Sequence, residues 1–233
     1  MPPLRPFRAA PFLSSALLAA GLALAGCTAD GKLDTGKEKE EDDASRLAYY
    51  EEAAQTYYDG GNYRAAEEQW NKVLAIEPQR PKANWGLAMS LAKQGDPGSL
   101  RAAERILVKI VDWDWSHPTL GDRRHEVKKD LAQVYLELAE YYDRDIRVLE
   151  AKREESQDPE LGRKIQTQVA ARNALLQKAM PLFTEVLQMS PENPYALAGL
   201  AQAHLLVGND QAGLDYARRY LVLSRKNQVG YQR

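Results

Sequence analysis

Two widely separated segments of the 233-residue chain carry the same order of small, turn-forming and apolar residues, and this repetition restricts the fold most. In the first segment, an apolar stripe at helical spacing precedes the turn signal Gly61-Asn62-Tyr63, and a second stripe ends at Pro78. Glycine suits this turn because it tolerates a left-handed backbone. Ser190-Pro191 and Gly208-Asn209-Asp210 punctuate the last segment in the same way. The pattern predicts helix–turn–helix pairs that cross closely where their side chains are small.

The segment Leu47–Arg80, with its run YRAAEEQWNKVLAIEP, resembles the tetratricopeptide repeat (TPR), a helix–turn–helix unit of 34 residues. The resemblance implies an all-α fold, a TPR α-solenoid of about four helix–turn–helix repeats over residues 45–226, followed by a tail at 227–233. The copies are expected at about 47–80, 81–115, 123–191 and 194–225.

The third copy is longer than the repeat allows. Ala132 and Ala179 are separated by 35 more residues than the family spacing, yet apolar residues continue at helical spacing through the extra segment. The residue numbers of facing apolar positions, such as 131 with 183 and 149 with 165, always add up to 314. A constant sum is typical of an antiparallel helical hairpin. We therefore predict one elongated helical hairpin over 140–175, turning at Gln157-Asp158-Pro159. The alternative is an unstructured loop.

Residues 1–26 have the three parts of an export signal. Arg5 and Arg8 form a basic start, Pro11–Ala23 is an apolar stretch of 13 residues, and Leu24-Ala25-Gly26 are small residues before a cut. The apolar stretch is shorter than the roughly 20 residues of a membrane-spanning helix. The pattern predicts a signal peptide that is removed.

Leu24-Ala25-Gly26 followed by Cys27, the only cysteine of the chain, resembles the lipobox of bacterial lipoproteins. This resemblance implies cleavage before Cys27 and a diacylglycerol on its sulfur, usually with a third acyl chain on its nitrogen. Two or three acyl chains form a lasting anchor, whereas one holds only marginally. Thr28 in place of aspartate implies the outer membrane, with the protein facing the periplasm. The alternative is an ordinary secretory signal.

The charge distribution indicates an acidic tether followed by a folded domain whose positive and negative charges are equal in number. Residues 30–43 carry seven acidic residues and three lysines, whereas residues 44–233 carry 26 basic and 26 acidic side chains. A balanced surface lacks the positive field that phosphate backbones require, so we expect no nucleic-acid partner. Residues 27–44 have few apolar side chains and are expected to form a flexible acidic linker behind the lipid.

Candidate catalytic residues are sparse. There are three histidines, and His204 lies on the predicted inner stripe of a helix, where a packed core histidine is expected. His117 and His125 have no acidic or histidine partner at metal-ligand spacing. No second histidine follows His125-Glu126 four residues on, as a zinc-protease helix requires. We therefore expect that the protein is not an enzyme and has no metal site, no cofactor and no small-molecule substrate.

In TPR proteins the first helices of successive repeats line a concave groove. The resemblance places eleven residues there: Glu51, Gln55, Tyr58, Trp85, Met89, Lys93, Lys129, Gln133, Tyr195, Gln202 and Leu206. Aromatic and methionine side chains suit an apolar anchor from a protein partner. The alternative is that the chain itself partly fills the groove. Trp113 and Trp115 lie between copies two and three, where they either fill space under their own loop, which we favour, or form a second contact.

These features predict a membrane-anchored TPR scaffold or adaptor for a protein partner in the bacterial envelope. Repeat and anchor together resemble the pilotins that escort secretins and the repeat lipoprotein of the outer-membrane barrel-assembly machine. By that analogy, assistance to secretin or outer-membrane protein assembly is expected. The alternatives are an envelope organiser that self-associates through the elongated hairpin, and an accessory to peptidoglycan enzymes.

Overall fold

The computed structural model describes residues 35–113, 116–117, 121–156 and 158–230, with side chains described for 42–113, 123–156 and 158–225. The helices are α1 (Thr35–Asp59), α2 (Tyr63–Ile76), α3 (Pro81–Gln94), α4 (Pro97–Ile110), α5 (Arg124–Glu155), α6 (Pro159–Met189), α7 (Pro194–Leu206) and α8 (Asp210–Gly230). Two short antiparallel strands, β1 (Ser116–His117) and β2 (Gly121–Asp122), lie in the connection between α4 and α5. The predicted TPR α-solenoid is confirmed, since successive helices pack as four consecutive pairs.

Polar side chains and prolines define where the helices begin. Five helices are preceded by a side chain that accepts a backbone N–H of the first turn, namely Asn62, Asp96, Asp158, Asn193 and Asn209. Proline occupies the first turn of α3, α4, α6 and α7, where its missing N–H removes no helical hydrogen bond.

The turns inside the first, second and fourth repeats each contain a glycine with a left-handed backbone. The φ angle is 77° at Gly61 and Gly95 and 79° at Gly208. Glycine adopts this conformation without the steric cost that a Cβ brings. Because the three glycines hold equivalent places, they fix the register in which residues of different repeats correspond.

An aromatic ring covers a glycine at two of the joints between repeats. A Cβ on Gly86 would lie 2.4 Å from Cε2 of Trp70, and a Cβ on Gly199 would lie 2.4 Å from Cζ of Phe183. Trp70 is 2% exposed and Phe183 is fully buried. The glycines therefore allow α2 to pack closely on α3, and α6 on α7.

The predicted elongated hairpin, called the arm below (residues 140–175), is confirmed. Helices α5 and α6 have 32 and 31 residues, whereas α2 has 14. Arg172 donates to Asp143 at 2.7 Å and Lys128 donates to Glu185 at 2.5 Å, so the two helices run antiparallel in the predicted register. The 18 extra residues of α5 extend it by about 27 Å at 1.5 Å per residue.

Both ends of the helical region differ from the predicted boundaries. Helix α1 begins at Thr35, so residues 35–44, which were predicted to be part of a flexible linker, are helical. Lysine and glutamate, which dominate residues 37–41, are good helix formers despite their polarity. Helix α8 continues to Gly230, beyond the predicted end at 226.

The signal peptide, Cys27 and the rest of the linker lie outside the described residues. Within the described ranges, the helices are too short or too polar to cross a membrane.

Candidate functional site

A concave groove with a volume of about 1590 Å³ is lined by the first helices of all four repeats and by the connection between α2 and α3. Eight of the eleven predicted residues line it: Gln55 and Tyr58 from α1, Trp85, Met89 and Lys93 from α3, Lys129 and Gln133 from α5, and Tyr195 from α7. Their role in binding stays a prediction.

The other three predicted residues do not line the groove. Glu51 is buried at 9% exposure and pairs with Arg80 and Lys82. Gln202 donates to Glu140 because the extended α5 continues alongside α7. Leu206 is half-buried against the hydrophobic core at the end of α7.

The Trp85 side chain is fixed by two partners. Its indole Nε1 donates to Oδ2 of Asp130 at 2.9 Å, and the Arg123 guanidinium lies 4.8 Å from the centroid of its ring. A guanidinium over an indole face is attracted by the ring quadrupole. Trp85 is therefore a rigid, half-buried surface inside the groove.

Asp130 is the buried acid that links α3 to α5. Its side chain is 10% exposed and is paired with the Lys129 ammonium, which lies 3.1 Å from its Oδ1. Burial raises the pKa of the Asp130 carboxyl above its ordinary value, because Lys129 and the Trp85 N–H offset only part of the lost hydration. The sequence offers a signal for this buried acid. Asp130 lies at helical spacing between the buried residues Val127 and Val134, where an apolar side chain is expected.

Tyr195 is the most exposed aromatic residue of the groove, at 65%. The Lys129 ammonium lies 5.3 Å from the centroid of its ring. Lys129 therefore contacts both Asp130 on its own helix and Tyr195 on α7, and a continuous series of contacts joins Trp85 to Tyr195 across the groove floor.

A cluster of charged residues closes one end of the groove. Glu51 accepts hydrogen bonds from Arg80 and from Lys82, the latter at 2.9 Å, and Arg80 also donates to Glu77 at 2.6 Å. Burial acts to raise the pKa of Glu51, but the hydrogen bonds from Lys82 and Arg80 outweigh it and leave the pKa lowered. Glu51 therefore anchors the connection between α2 and α3 from beneath.

Two opposite charges of the groove have no ionic partner among the side chains that the structure describes. Lys93 is exposed on α3, and Glu137 on α5 accepts a hydrogen bond from Gln133 at 3.0 Å. Met89 lies one turn before Lys93 on the same face of α3. The groove thus presents apolar surface with a cation on one wall and a carboxylate on the other.

The histidines are placed apart from one another. His204 stacks on Tyr216, with ring centroids 5.6 Å apart, and packs α7 against α8. His125 lies in the first turn of α5, and the side chain of His117 is outside the described residues. The described part of the chain contains no cluster of three or more histidine, cysteine, aspartate or glutamate residues that could hold a metal ion.

Trp113, which follows α4, is half-buried and packs against the hydrophobic core. The Lys109 ammonium lies 5.8 Å from the centroid of its ring. Whether Trp113 fills space under its own loop or forms a second contact stays a prediction. The side chain of Trp115 is outside the described residues.

The sequence profile of the tetratricopeptide repeat matches residues 51–109 and 168–227, which together make up about half of the chain. The chain belongs to the tetratricopeptide repeat family. The first matched segment covers most of the first two repeats, and the second begins inside the arm at 168 and covers the rest of α6 with the fourth repeat. TPR proteins mediate protein–protein interactions, and the groove is lined by the helices that the family uses for them.

Solved structures of MamA proteins are similar to this chain at a low level. The crystal structure of MamA protein is 15% identical over 79% of this chain and 95% of that chain, with a TM-score of 0.37. MamA from Desulfovibrio magneticus RS-1, from residue 41 to its end, is 15% identical over 78% of this chain and 96% of that chain, also with a TM-score of 0.37. No curated protein sequence matches the chain.

Proposed function

We propose that the protein is a lipid-anchored adaptor of the bacterial envelope that binds a segment of a partner protein in its groove. The groove geometry carries this proposal: Trp85 is held rigid by Asp130 and Arg123, while Tyr195 and Met89 beside it offer apolar surface. Aromatic side chains in a groove dominate binding energy when a partner desolvates them. Because Trp85 is already ordered, little conformational entropy is lost when a partner binds.

The anchor and the envelope location are supported by the sequence. Leu24-Ala25-Gly26-Cys27 follows a short apolar stretch with a basic start, which is the arrangement of a lipoprotein signal. The charged, mostly acidic residues 38–43 stand between the lipid site and the repeats. A protein attached in this way faces the periplasm, where the precursors of outer-membrane proteins pass.

We propose a secretin or another outer-membrane protein as the class of partner. The support is the combined resemblance of anchor and repeat to pilotins and to the repeat lipoprotein of the barrel-assembly machine. An accessory of peptidoglycan enzymes would use the same groove and the same anchor, and it would differ in the identity of the partner.

Site-specific photocrosslinking in cells that make the full chain tests the groove. We expect a photoreactive residue in place of Tyr195 to form a crosslink with a discrete protein, whose mass identifies the partner class. Met89→Glu should weaken that crosslink about tenfold or more, because it places a charge against the apolar anchor. The matched control is the photoreactive residue in place of Val148, which is 54% exposed on the arm. The proposal fails if the Tyr195 position gives no crosslink, or if Met89→Glu leaves the crosslink unchanged.

Fractionation of the same cells tests the anchor. We expect the wild-type chain in the outer-membrane fraction and Cys27→Ala in the soluble or inner-membrane fraction, because the thioether needs the cysteine sulfur. Equal amounts of both chains in the outer membrane would contradict a lipid anchor at Cys27. The photocrosslink at Tyr195 is read separately, so the groove and the anchor can fail independently.

A further inference from the structure

Helix α8, which ends the solenoid, exposes large apolar side chains. Leu214, Tyr220, Leu221 and Val222 are 47%, 38%, 54% and 55% exposed. Leu205 and Val207, at the end of α7, add further exposed apolar surface at 47% and 38%. Large apolar side chains left exposed at the end of a solenoid indicate a surface that another molecule covers.

Two of the exposed side chains, Tyr220 and Leu221, occupy positions that are packed in the internal repeats. In the register fixed by Gly61 and Gly208, Ala217 corresponds to Trp70 and Phe183, the rings that cover the next repeat. Tyr220 and Leu221 correspond to residues 73–74 of α2 and 186–187 of α6, which are buried in the hydrophobic core or packed against it. Helix α8 is thus shaped to receive another first helix.

Helix α1 presents the opposite open face. In the same register, Tyr49 and Glu52 correspond to Ala83 and Gly86 of α3, which lie buried or covered under α2. Tyr49 is 67% exposed and Glu52 is exposed as well. The sizes are exchanged relative to an internal joint: the receiving helix carries a glutamate in place of glycine, and α8 carries Ala217 in place of an aromatic ring.

We propose that the protein assembles head to tail, with α8 of one copy packed on α1 of a second copy in the register of the internal joints. This inference goes beyond the proposed function, since it concerns the two ends of the solenoid and leaves the groove open. In this register the glutamate of the receiving helix faces Ala217, which is smaller than Trp70 and Phe183 at the internal joints.

The charges of the two helices favour this occupant. Helix α1 contains eight acidic and three basic residues, a net charge of −5, whereas α8 contains two acidic and four basic residues, a net charge of +2. Opposite charges steer the two ends together and oppose pairing of like ends. A head-to-tail contact is heterologous, and it closes only if the rotation between copies forms a ring. The expected product is therefore a set of linear oligomers of different lengths.

Sedimentation velocity of the purified full chain in density-matched detergent tests the proposal with three variants. Leu221→Lys blocks the α8 face and Tyr49→Lys blocks the α1 face. Val148→Lys is the matched control, because Val148 has the same 54% exposure as Leu221 but lies on the arm. All three side chains are exposed, and thermal unfolding followed by circular dichroism checks that each variant is folded.

We expect the wild type and Val148→Lys to form species larger than dimers as concentration rises. Each end variant alone should weaken association about tenfold or more. An equimolar mixture of Leu221→Lys and Tyr49→Lys should give 1:1 dimers and nothing larger, because only one intact end of each kind remains. A wild type that stays monomeric overturns the proposal. Undiminished self-association of Tyr49→Lys also overturns it and indicates symmetric pairing of two α8 helices, and loss of association in Val148→Lys assigns the contact to the arm.

Discussion

At the scale of single residues, Trp85 shows how one side chain can be both structural and available to a partner. Its N–H is hydrogen-bonded to Asp130 on α5, and one face of its ring is covered by Arg123. What remains exposed is a surface whose orientation is already fixed. The buried Asp130 carboxylate is the cost of this arrangement, because burial disfavours its charged form.

We predict that Asp130→Asn stabilises the protein at pH 7. The pKa of Asp130 is raised in the folded state, so folding stability falls as the pH rises from about 3.8 through that raised value, and the penalty remains at neutral pH. Asparagine has nearly the same shape, and its side-chain oxygen still accepts the Trp85 N–H. Urea unfolding across pH 3 to 7 measures the difference. It should be largest at neutral pH and vanish in acid; a less stable Asp130→Asn at pH 7 would show that the Lys129 pair outweighs burial.

We also predict that Gly86→Ala and Gly199→Ala each lower the free energy of unfolding by about 1–3 kcal/mol, because the new methyl group overlaps a buried aromatic ring. Gly162→Ala on α6 is the matched control, since a Cβ there meets no atom within 4 Å. That change should raise stability by up to about 1 kcal/mol through helix propensity. Urea unfolding compares the three variants, and equal effects would refute the role of the ring contacts.

At the scale of elements, the arm is a hairpin whose base is fixed by an ion-pair cluster. Asp143 binds both Arg147 and Arg172, and the Asp143 and Arg172 side chains are 12% and 15% exposed. Farther out, Ile146 and Ile165 are buried between the two helices. The arm exposes Val148 as its only strongly exposed large apolar side chain among the described residues, so most of its surface is polar.

We predict that the backbone amides of 146–154 and 162–170 are protected from hydrogen–deuterium exchange in the full chain, with slower exchange near Asp143 than near the turn at Pro159. Helical hydrogen bonds and the buried isoleucines protect them. Asp143→Ala should increase exchange across the arm at least about tenfold, because Arg172 loses a buried partner. Helix α4 serves as an internal reference. Exchange of the wild-type arm at the rate of an unstructured peptide would contradict a stable hairpin.

At the scale of the whole molecule, the solenoid is a row of units in which each repeat contacts mainly its neighbours. A defect in one joint should therefore stay local. We predict that Gly199→Ala increases exchange in α7 and α8 and leaves α1 and α2 unchanged, whereas Gly86→Ala does the reverse. Segment-resolved exchange of both variants measures this, and a uniform loss of protection would instead indicate one cooperative unit.

The sequence was sufficient to predict the helices, the arm and most of the groove for a physical reason. Turn glycines and apolar spacing fix the register of each first helix, and the register decides that Trp85 and Met89 face the groove. Local patterns do not reveal contacts between distant helices. Two such contacts are the hydrogen bond from Trp85 to Asp130 and the one from Gln202 to Glu140. Both depend on how α3, α5 and α7 cross, which no short motif encodes.

The start of α1 could not be predicted for a different reason. Residues 38–43 are all charged, and their composition is compatible with both a flexible linker and a helix. Residues 38–43 are helical because they continue the packed part of α1, where Leu47 is buried. Their own composition does not distinguish a helix from a flexible linker.

The extra length of α5 and α6 carries the turn at Pro159 beyond the helices of the other repeats. The extra 27 Å or so of hairpin is comparable with the roughly 30 Å thickness of a bilayer's hydrocarbon core. The turn at Pro159 therefore lies about 27 Å beyond the length of an ordinary helix of the repeats.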